Sequence, residues 1–413
     1  MYPHLHRLLP LLGLLLPAAV THADDNVASL EGWPDWVHEA MDTEAKRLKF
    51  KRIKTRDDSV RTRLPGKTQA PQAIDDGWYF ISDIKAKSPL ECYLFTSSRD
   101  LATLTDVITE ANIEAVAGSL DNVGNRHVFH TGAGEVAGLP YLALEWIYTV
   151  EENGQTMVGF TKVRAATKGE RAFVCNHNYL GYRETFAKAF AEFVSSTDVH
   201  DATPQPFYEE IARLDMNGFG TGVVYASYST DDDGDIRMYS AEASLMPVDA
   251  ATIATSDSYT VTYSTPDGEM INAHSIGVEN GEITNNMTLQ RDEAGTWQSS
   301  GSLQGKELAF EIDGELLPAS EWQQISVARE LFAGDETSAS LLVWVPTIDP
   351  TGLLEASMAR DDAEVERQAI LTMGPVSYLG RFDTAGNLEN ADMTIGPMTL
   401  NIERIWTRGS LLQ

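Results

Sequence analysis

The apolar and polar positions follow two different rhythms along this chain. Up to about residue 195 helical and strand periods are mixed. EGWPDWVHEAMDTEAKRLKF spaces Trp33, Trp36, Ala40 and Leu48 near the helical period, and SSRDLATLTDVITEA sets Leu101, Leu104, Ile108 and Ala111 on one face behind a serine cap. Strand-like runs lie between and after them: GWYFISDI, LECYLF, then YLALEWIYTV and TMVGFTKV, a hairpin whose turn is marked by Asn153-Gly154. GYRETFAKAFAEFV closes this half as a helix, and its Phe186, Phe190 and Phe193 read as core.

The polar stretch SSTDVHDATPQP, with two prolines, separates this half from one that is almost all alternation. VVYASYS, DIRMYSAEASLM, SYTVTYS, EMINAHSIGV, TWQSSGSL and LAFEID are punctuated by Asp-Gly and Asn-Gly turns. Only SEWQQISVARELFAG reads as a helix there, capped by Ser320, stopped by Gly334 and apolar at Trp322, Ile325, Ala328 and Phe332. SLLVWVP, residues 363–373, VSYLGRFDTAGNLENADMTI and MTLNIERIW supply further strands. The pattern predicts an α+β fold class: a mixed first domain, then a mostly antiparallel β domain curved around one helix. The segments are a signal peptide over 1–23, an N-terminal helix and basic segment over 24–74, an α+β domain over 75–196, a linker over 197–206 and the β domain over 207–413.

From about 75 to 196, the order of strands and helix, ending in a cysteine-containing strand and a Phe-rich closing helix, resembles the small α/β/α sandwich of the PsbP-like family. That resemblance implies an α/β sandwich-like first domain and a non-catalytic assembly or accessory role. From about 207 to 406 the pieces FYEEIARLDMNGFGTG, SYTVTYSTPDGE, GTWQSSGSLQGK, the helix after LLPAS, LLVWVPTIDP and GRFDTAGNLENADM resemble β-rich envelope domains found beside bacterial transglutaminase-like proteins. More distantly they resemble LolA-type half-barrels, which implies a half-barrel with a lipid site between sheet and helix. Such hollows are set by apolar shape, so the resemblance carries over no ligand-binding residue.

The N-terminus sets the compartment. MYPHLHRLLPLLGLLLPAAVTHADD has one cation, Arg7, an apolar run from Leu8 to Val20 and a small-residue site at Thr21-His22-Ala23, the pattern of a secretory signal peptide. Pro10 and Pro17 interrupt the run, which is shorter than the roughly 20 residues a membrane span needs. Cleavage near Ala23 would leave a periplasmic or secreted protein of a Gram-negative envelope, with no transmembrane segment in the mature chain. The formal net charge of -30 argues against nucleic acid, which needs clustered cations. One segment runs against this acidity: KRLKFKRIKTRDDSVRTRLPGK holds ten of the chain's 31 basic residues, against Asp57 and Asp58. It reads as a solvated face or, through Lys49, Lys51, Arg52 and Lys54, as a docking strip for an anionic partner such as a lipid headgroup or an acidic protein surface.

The chemistry-bearing residues are few. Cys92 and Cys175 are the only cysteines and in an exported protein pair most simply as a disulfide, worth about 4 to 5 kcal/mol in the chain-entropy model. The sharper reading, Cys175 as nucleophile with His177, His127 or His130 as base, lacks a nucleophile turn. In NRHVFHTGAGEVAG a strand would send His127 and His130 to opposite faces, and the glycine run reads as a turn, so neither metal nor phosphate loop is expected. DDDGDIR reads as a hairpin turn, since the twelfth position of a calcium loop would be Ser240. With 61 carboxylates, acid pairs discriminate nothing.

These readings name no catalytic residue, metal or cofactor. They point to an envelope protein that acts by binding, with a lipid-like ligand in the hollow of the second domain lined by Trp297, Trp322, Ile325, Phe332 and Trp344. The alternative is an assembly factor with an envelope protein as partner. A thiol hydrolase ranks behind both.

Overall fold

The computed structural model describes residues 35–98, 100–152, 154–198, 205–313, 315–361, 366–374, 376–395 and 398–412. The signal-peptide reading, Trp33, Asn153 and most of the expected linker lie outside these residues. The chain divides into two compact units, the first of residues 19–203 with 245–255, the second of residues 204–244 with 256–413.

In the first unit a short helix, α1 (Asp35–Met41), precedes the basic segment, which is a two-stranded ribbon of β1 (Phe50–Lys54) and β2 (Arg61–Pro65). The helix ends at Met41, so Leu48 is not on it. An eight-stranded antiparallel sheet follows, in the order Lys67–Thr68, Gly77–Asp83, Leu90–Phe95, Arg171–His177, Gln155–Lys168, Leu139–Glu152 and Val123–Val136, with Gln72–Ile74 also pairing Gly77–Asp83. Helices α2 (Leu101–Ala117) and α3 (Arg183–Ser196) lie against opposite faces, as alternation along the strand Arg171–His177 requires. Phe173 and Cys175 pack with Phe186, Phe190 and Phe193 of α3 in one apolar cluster. Asn176 points the other way and donates to Asn112 Oδ1 of α2 at 2.6 Å. Burial of each phenylalanine contributes about 1.5 to 3 kcal/mol to holding α3 in place.

Cys92 and Cys175 are bonded to each other and sit directly opposite in the register of neighbouring strands. The disulfide therefore forms as expected, and Cys175 is not a free nucleophile.

The α+β class with an α/β sandwich-like first domain is corrected by the structure. Among the described residues four α-helices stand against 24 strands, gathered in antiparallel sheets, so the chain is strand-dominated in both units. The main reason is the length of three strands, Val123–Val136, Leu139–Glu152 and Gln155–Lys168, each of 14 residues. Of the glycine run read as a turn, residues 132–136 lie inside the first of them, where Gly134 leaves room for the Tyr141 ring, and only its last two residues turn. Those two, Ala137 and Gly138, both have positive φ (53° and 77°), as a tight hairpin loop demands. A bulge at Phe129 also changes the parity: His127 pairs with Ile147 and His130 with Glu145, so the two histidines share a face.

The buried face of helix α2 is turned from the expected one: Leu101 is buried, Leu104 and Ile108 are half-buried, and Ala111 is exposed. The helix buries Thr105, Thr109 and Asn112 and exposes Val107 and Val116. The threonine hydroxyls donate to carbonyls one turn back, Thr105 to Leu101 and Thr109 to Thr105, both at 2.7 Å, which makes their burial tolerable.

The second unit is one 14-stranded antiparallel sheet. Its chain starts mid-sheet with Tyr208–Met216 and meanders out to the edge at Lys306–Ile312. It then passes through α4 (Glu321–Ala333), resumes at the opposite edge with Ser338–Val343 and meanders back until Met398–Gly409 pairs with the first strand. A sheet this wide curls because each strand is rotated on its neighbour. Helix α4 occupies the inside of the curl: Ile325 packs with Tyr208, Tyr228 and Met238, while Ala328 and Leu331 pack with Met358 and Phe382. Ser320 caps the helix, accepting from the Gln323 N–H at 3.1 Å, as the sequence indicates. Gly386 (φ 88°) lets a turn pass under α4, since a Cβ there would lie 2.2 Å from the Ile325 carbonyl oxygen. No helix among the described residues is long and apolar enough to cross a membrane.

Candidate functional site

Between α4 and the curled sheet of the second unit lie two small cavities. The larger offers about 100 Å³ to water centres and has apolar walls of Val224, Ala226, Met238, Ile325, Met358 and Ile402. The smaller, about 60 Å³, is lined by Thr262, Ala273, Ser275 and Trp344. Glu321 and Gln324, on the first turn of α4, line both.

The polar groups of this hollow gather at two places. At one, Arg404 is held by Asp383 at 2.8 Å, Glu389 at 3.3 Å and Glu210 at 3.7 Å. Tyr208 donates to Glu210 at 2.9 Å, and Asn387 also donates to it. Burial raises the Glu210 carboxyl above its ordinary range, against the pull of Arg404. At the other place, beside the α4 N-terminus, Glu321 Oε2 and the fully buried Ser240 hydroxyl have no hydrogen-bond partner among the described residues. The Thr262 hydroxyl lies near enough to Glu321 to favour its charged form but makes no hydrogen bond of proper geometry. Burial nevertheless raises the Glu321 carboxyl.

The five aromatic and aliphatic residues expected to line one hollow fall into three clusters. Trp297 and Trp344 pack together with Ala273, Met287 and Leu289. Their indoles are satisfied, Trp297 donating to the Leu316 carbonyl at 3.1 Å and Trp344 to Ser299 Oγ at 3.2 Å. Trp322 sits with Ile325 beside Tyr228, and Phe332 packs on Phe382 at a tilt of 43° with ring centres 5.5 Å apart. Ile325 lines the larger cavity and Trp344 the smaller; Trp297, Trp322 and Phe332 line neither. Sequence reasoning missed Glu210, Glu321 and Arg404. Their only signal is charge at positions that face inward in otherwise apolar strands and on a helix.

Of the four basic candidates, Lys51, Arg52 and Lys54 lie on the ribbon, Lys51 on the face opposite to the other two, and Lys49 immediately precedes it. In its register Arg52 lies opposite Arg63 and Lys54 opposite Arg61, so four cations share one face. Asp58 answers Lys54 at 3.5 Å and Arg61 at 2.9 Å, and Glu192 answers Arg63 at 2.7 Å. Like charges directly across a strand pair cost stability.

Two further features belong to the first unit. Across its sheet His130, Glu145, Lys162 and His177 fall in one lateral row. Lys162, fully buried, donates to the Gly181 carbonyl at 2.8 Å and to that of Tyr179, while Arg183 donates to Glu145 at 2.8 Å. Burial pulls Lys162 down to about 7 and His177 down to about 3. An open groove of about 870 Å³ also lies in this unit, among Trp36, Val116, His127, Met157 and Asn178. Among the described residues no three His, Cys, Asp or Glu side chains gather as a metal site.

No known protein family matches the chain, and no curated protein is similar to it in sequence. Among solved structures it is similar to a beta-barrel-like protein of the domain of unknown function DUF1849 from Brucella abortus, with a TM-score of 0.35 and 11% identity over 50% of this chain and 98% of that one. It is also similar to cyanobacterial PsbP from Synechocystis sp. PCC 6803, with a TM-score of 0.26 and 14% identity over 37% of this chain and 92% of that one. A DUF1089 family protein from Pseudomonas aeruginosa gives a TM-score of 0.21 and 13% identity over 45% of this chain and 89% of that one.

Proposed function

We propose that this is an exported envelope protein that acts by binding, holding a small amphipathic, lipid-like ligand in the hollow beside α4 as its carrier or sensor. The observation that carries this reading is the hollow itself, whose apolar walls converge on polar atoms without partners. Buried polar atoms are normally satisfied, so such a group beside free space is a place for water or a ligand. The small size of the hollow suits a short chain. The buried disulfide favours an oxidising compartment such as the periplasm.

Native mass spectrometry of the protein from its own envelope fraction, before and after denaturing extraction, tests the reading. A discrete adduct released as a small amphiphile is expected. A bare mass, together with no binding of short amphiphiles in solution, would overturn it.

A second reading, an interaction factor that docks on an anionic partner, rests on the cations facing one another across the ribbon. Clustered cations steer and hold anions, which gives a use to charges that cost the ribbon stability.

A further inference from the structure

We infer that the hollow beside α4 takes a small organic ammonium ion, its charge met by Glu321 and the Ser240 and Thr262 hydroxyls and its short apolar body lying along Val224, Ala226 and Met238. The inference rests on the reading of this hollow as the ligand site and names the class of ligand.

Three observations converge. Glu321 Oε2 and Ser240 Oγ on the larger cavity, and Thr262 Oγ1 on the smaller one that Glu321 also lines, lack hydrogen-bond partners among the described residues and are all able to accept. An ammonium group presents three donors and no acceptor, which is the complement of that set. Ser240 and Thr262 are 0% and 2% exposed, so bulk water does not serve them.

The second observation is the balance of charge. Arg404 is the cation lining the larger cavity, and Glu210, Asp383 and Glu389 already surround it. The head group of a fatty acid would have to compete with these three carboxylates for it. A ligand carboxylate at the other end would meet the Glu321 carboxylate, a like charge in a buried setting. A neutral head group would leave Glu321 buried without a counter-charge, where burial favours its protonated form and ionisation carries a cost. An ammonium ion removes that cost, and the net charge of -30 draws cations towards the protein in general.

The third is size and wall chemistry. The larger cavity runs from Glu321 along apolar side chains and offers about 100 Å³ to water centres, room for a short aliphatic body and not for a long one.

The test uses the intact protein and three probes of one chain length: n-hexylamine, hexanol and sodium hexanoate, titrated calorimetrically at neutral pH. Hexylamine is expected to bind about tenfold or more tightly than hexanol, the margin of one buried charge pair, with hexanoate the weakest. Glu321→Gln, equal in shape, is expected to erase the preference for the amine. Ser240→Ala, a smaller change at the same place, is expected to weaken the amine and leave hexanol unchanged. Hexanol or hexanoate binding as well as the amine, or an amine preference that survives both substitutions, overturns the inference. No binding by any of the three overturns the reading of the hollow as a site.

Discussion

Lys162 lies directly opposite Glu145 in the register of two long strands, yet its ammonium donates to backbone, reaching the Gly181 carbonyl at 2.8 Å. The buried cation thereby fastens the loop that leads into α3, while Arg183 takes up Glu145 at 2.8 Å. Lys162→Met keeps most of the stem but leaves two carbonyls without a donor. We expect a loss of about 3 kcal/mol, read from the urea midpoint. An unchanged midpoint would show that the loop is held by apolar packing alone.

The same neighbourhood sets a pH dependence. His177 falls from its ordinary 6.5 to about 3 because the folded chain buries it, with the charge of Lys162 adding to the shift. Between these values the unfolded state holds a proton that the folded state refuses. Its contribution to stability is therefore full above pH 6.5 and is lost as the pH falls towards 3. Lys162, lowered from 10.5 to about 7, acts in the alkaline window, where stability rises as pH climbs from 7 to 10.5. His177→Phe, in contact with Tyr182 and Phe186, should flatten the acid limb of a midpoint-against-pH curve. Parallel curves for variant and parent would refute this assignment.

Both cysteines are fully buried, so neither should react with an alkylating agent until the protein is reduced and unfolded. Replacing both with serine should cost about 3 to 5 kcal/mol. Mass spectrometry after alkylation reads the first outcome and thermal unfolding the second.

The ribbon offers a trade between stability and docking. Changing Lys49, Lys51, Arg52 and Lys54 to glutamine should relieve the repulsion between Arg52 and Arg63 and raise stability by a few tenths of a kcal/mol. The same change should weaken sedimentation with phosphatidylglycerol vesicles, by about 1 kcal/mol per lysine or arginine, and reduce its salt sensitivity. Equal retention of the variant and the parent would discard the docking role.

Gly386→Ala probes how tightly α4 is seated. A side chain there meets the Ile325 carbonyl and a left-handed backbone together, so a loss of about 2 kcal/mol or more is expected in urea unfolding. A near-neutral substitution would mean that α4 lifts easily from the turn, which would ease entry of a ligand.

What could be read from the sequence was what is local. The Ser320 cap, the phenylalanines of α3 and most hairpin turns declare themselves within a few residues. The face of α2 did not, because Thr105, Thr109 and Asn112 satisfy themselves within the helix or against Asn176, so the polar stripe can be the buried one. The shared face of His127 and His130 depends on a bulge that only pairing with the next strand creates. The hollow was hardest to see. Glu210, Glu321 and Arg404 come from three distant segments, and apolar periodicity is silent about charged residues that point inward. Charge in mid-strand, as at Glu145 in YLALEWIY and Lys162 in VGFTKV, was the one usable mark.

The bond between Cys92 and Cys175 also bears on how the first unit is made. Their two strands are neighbours in the sheet but 83 residues apart in the chain, and the residues between them form α2 and three long antiparallel strands. Those inner strands can pair as each hairpin is completed, at little cost in loop closure. The joining of Leu90–Phe95 to Arg171–His177 must wait for the whole insert and carries the largest loop-closure cost among the strand pairings of this sheet. Oxidation at that junction makes the slowest contact permanent, so an enzyme that introduces disulfides would act on this chain as a folding catalyst.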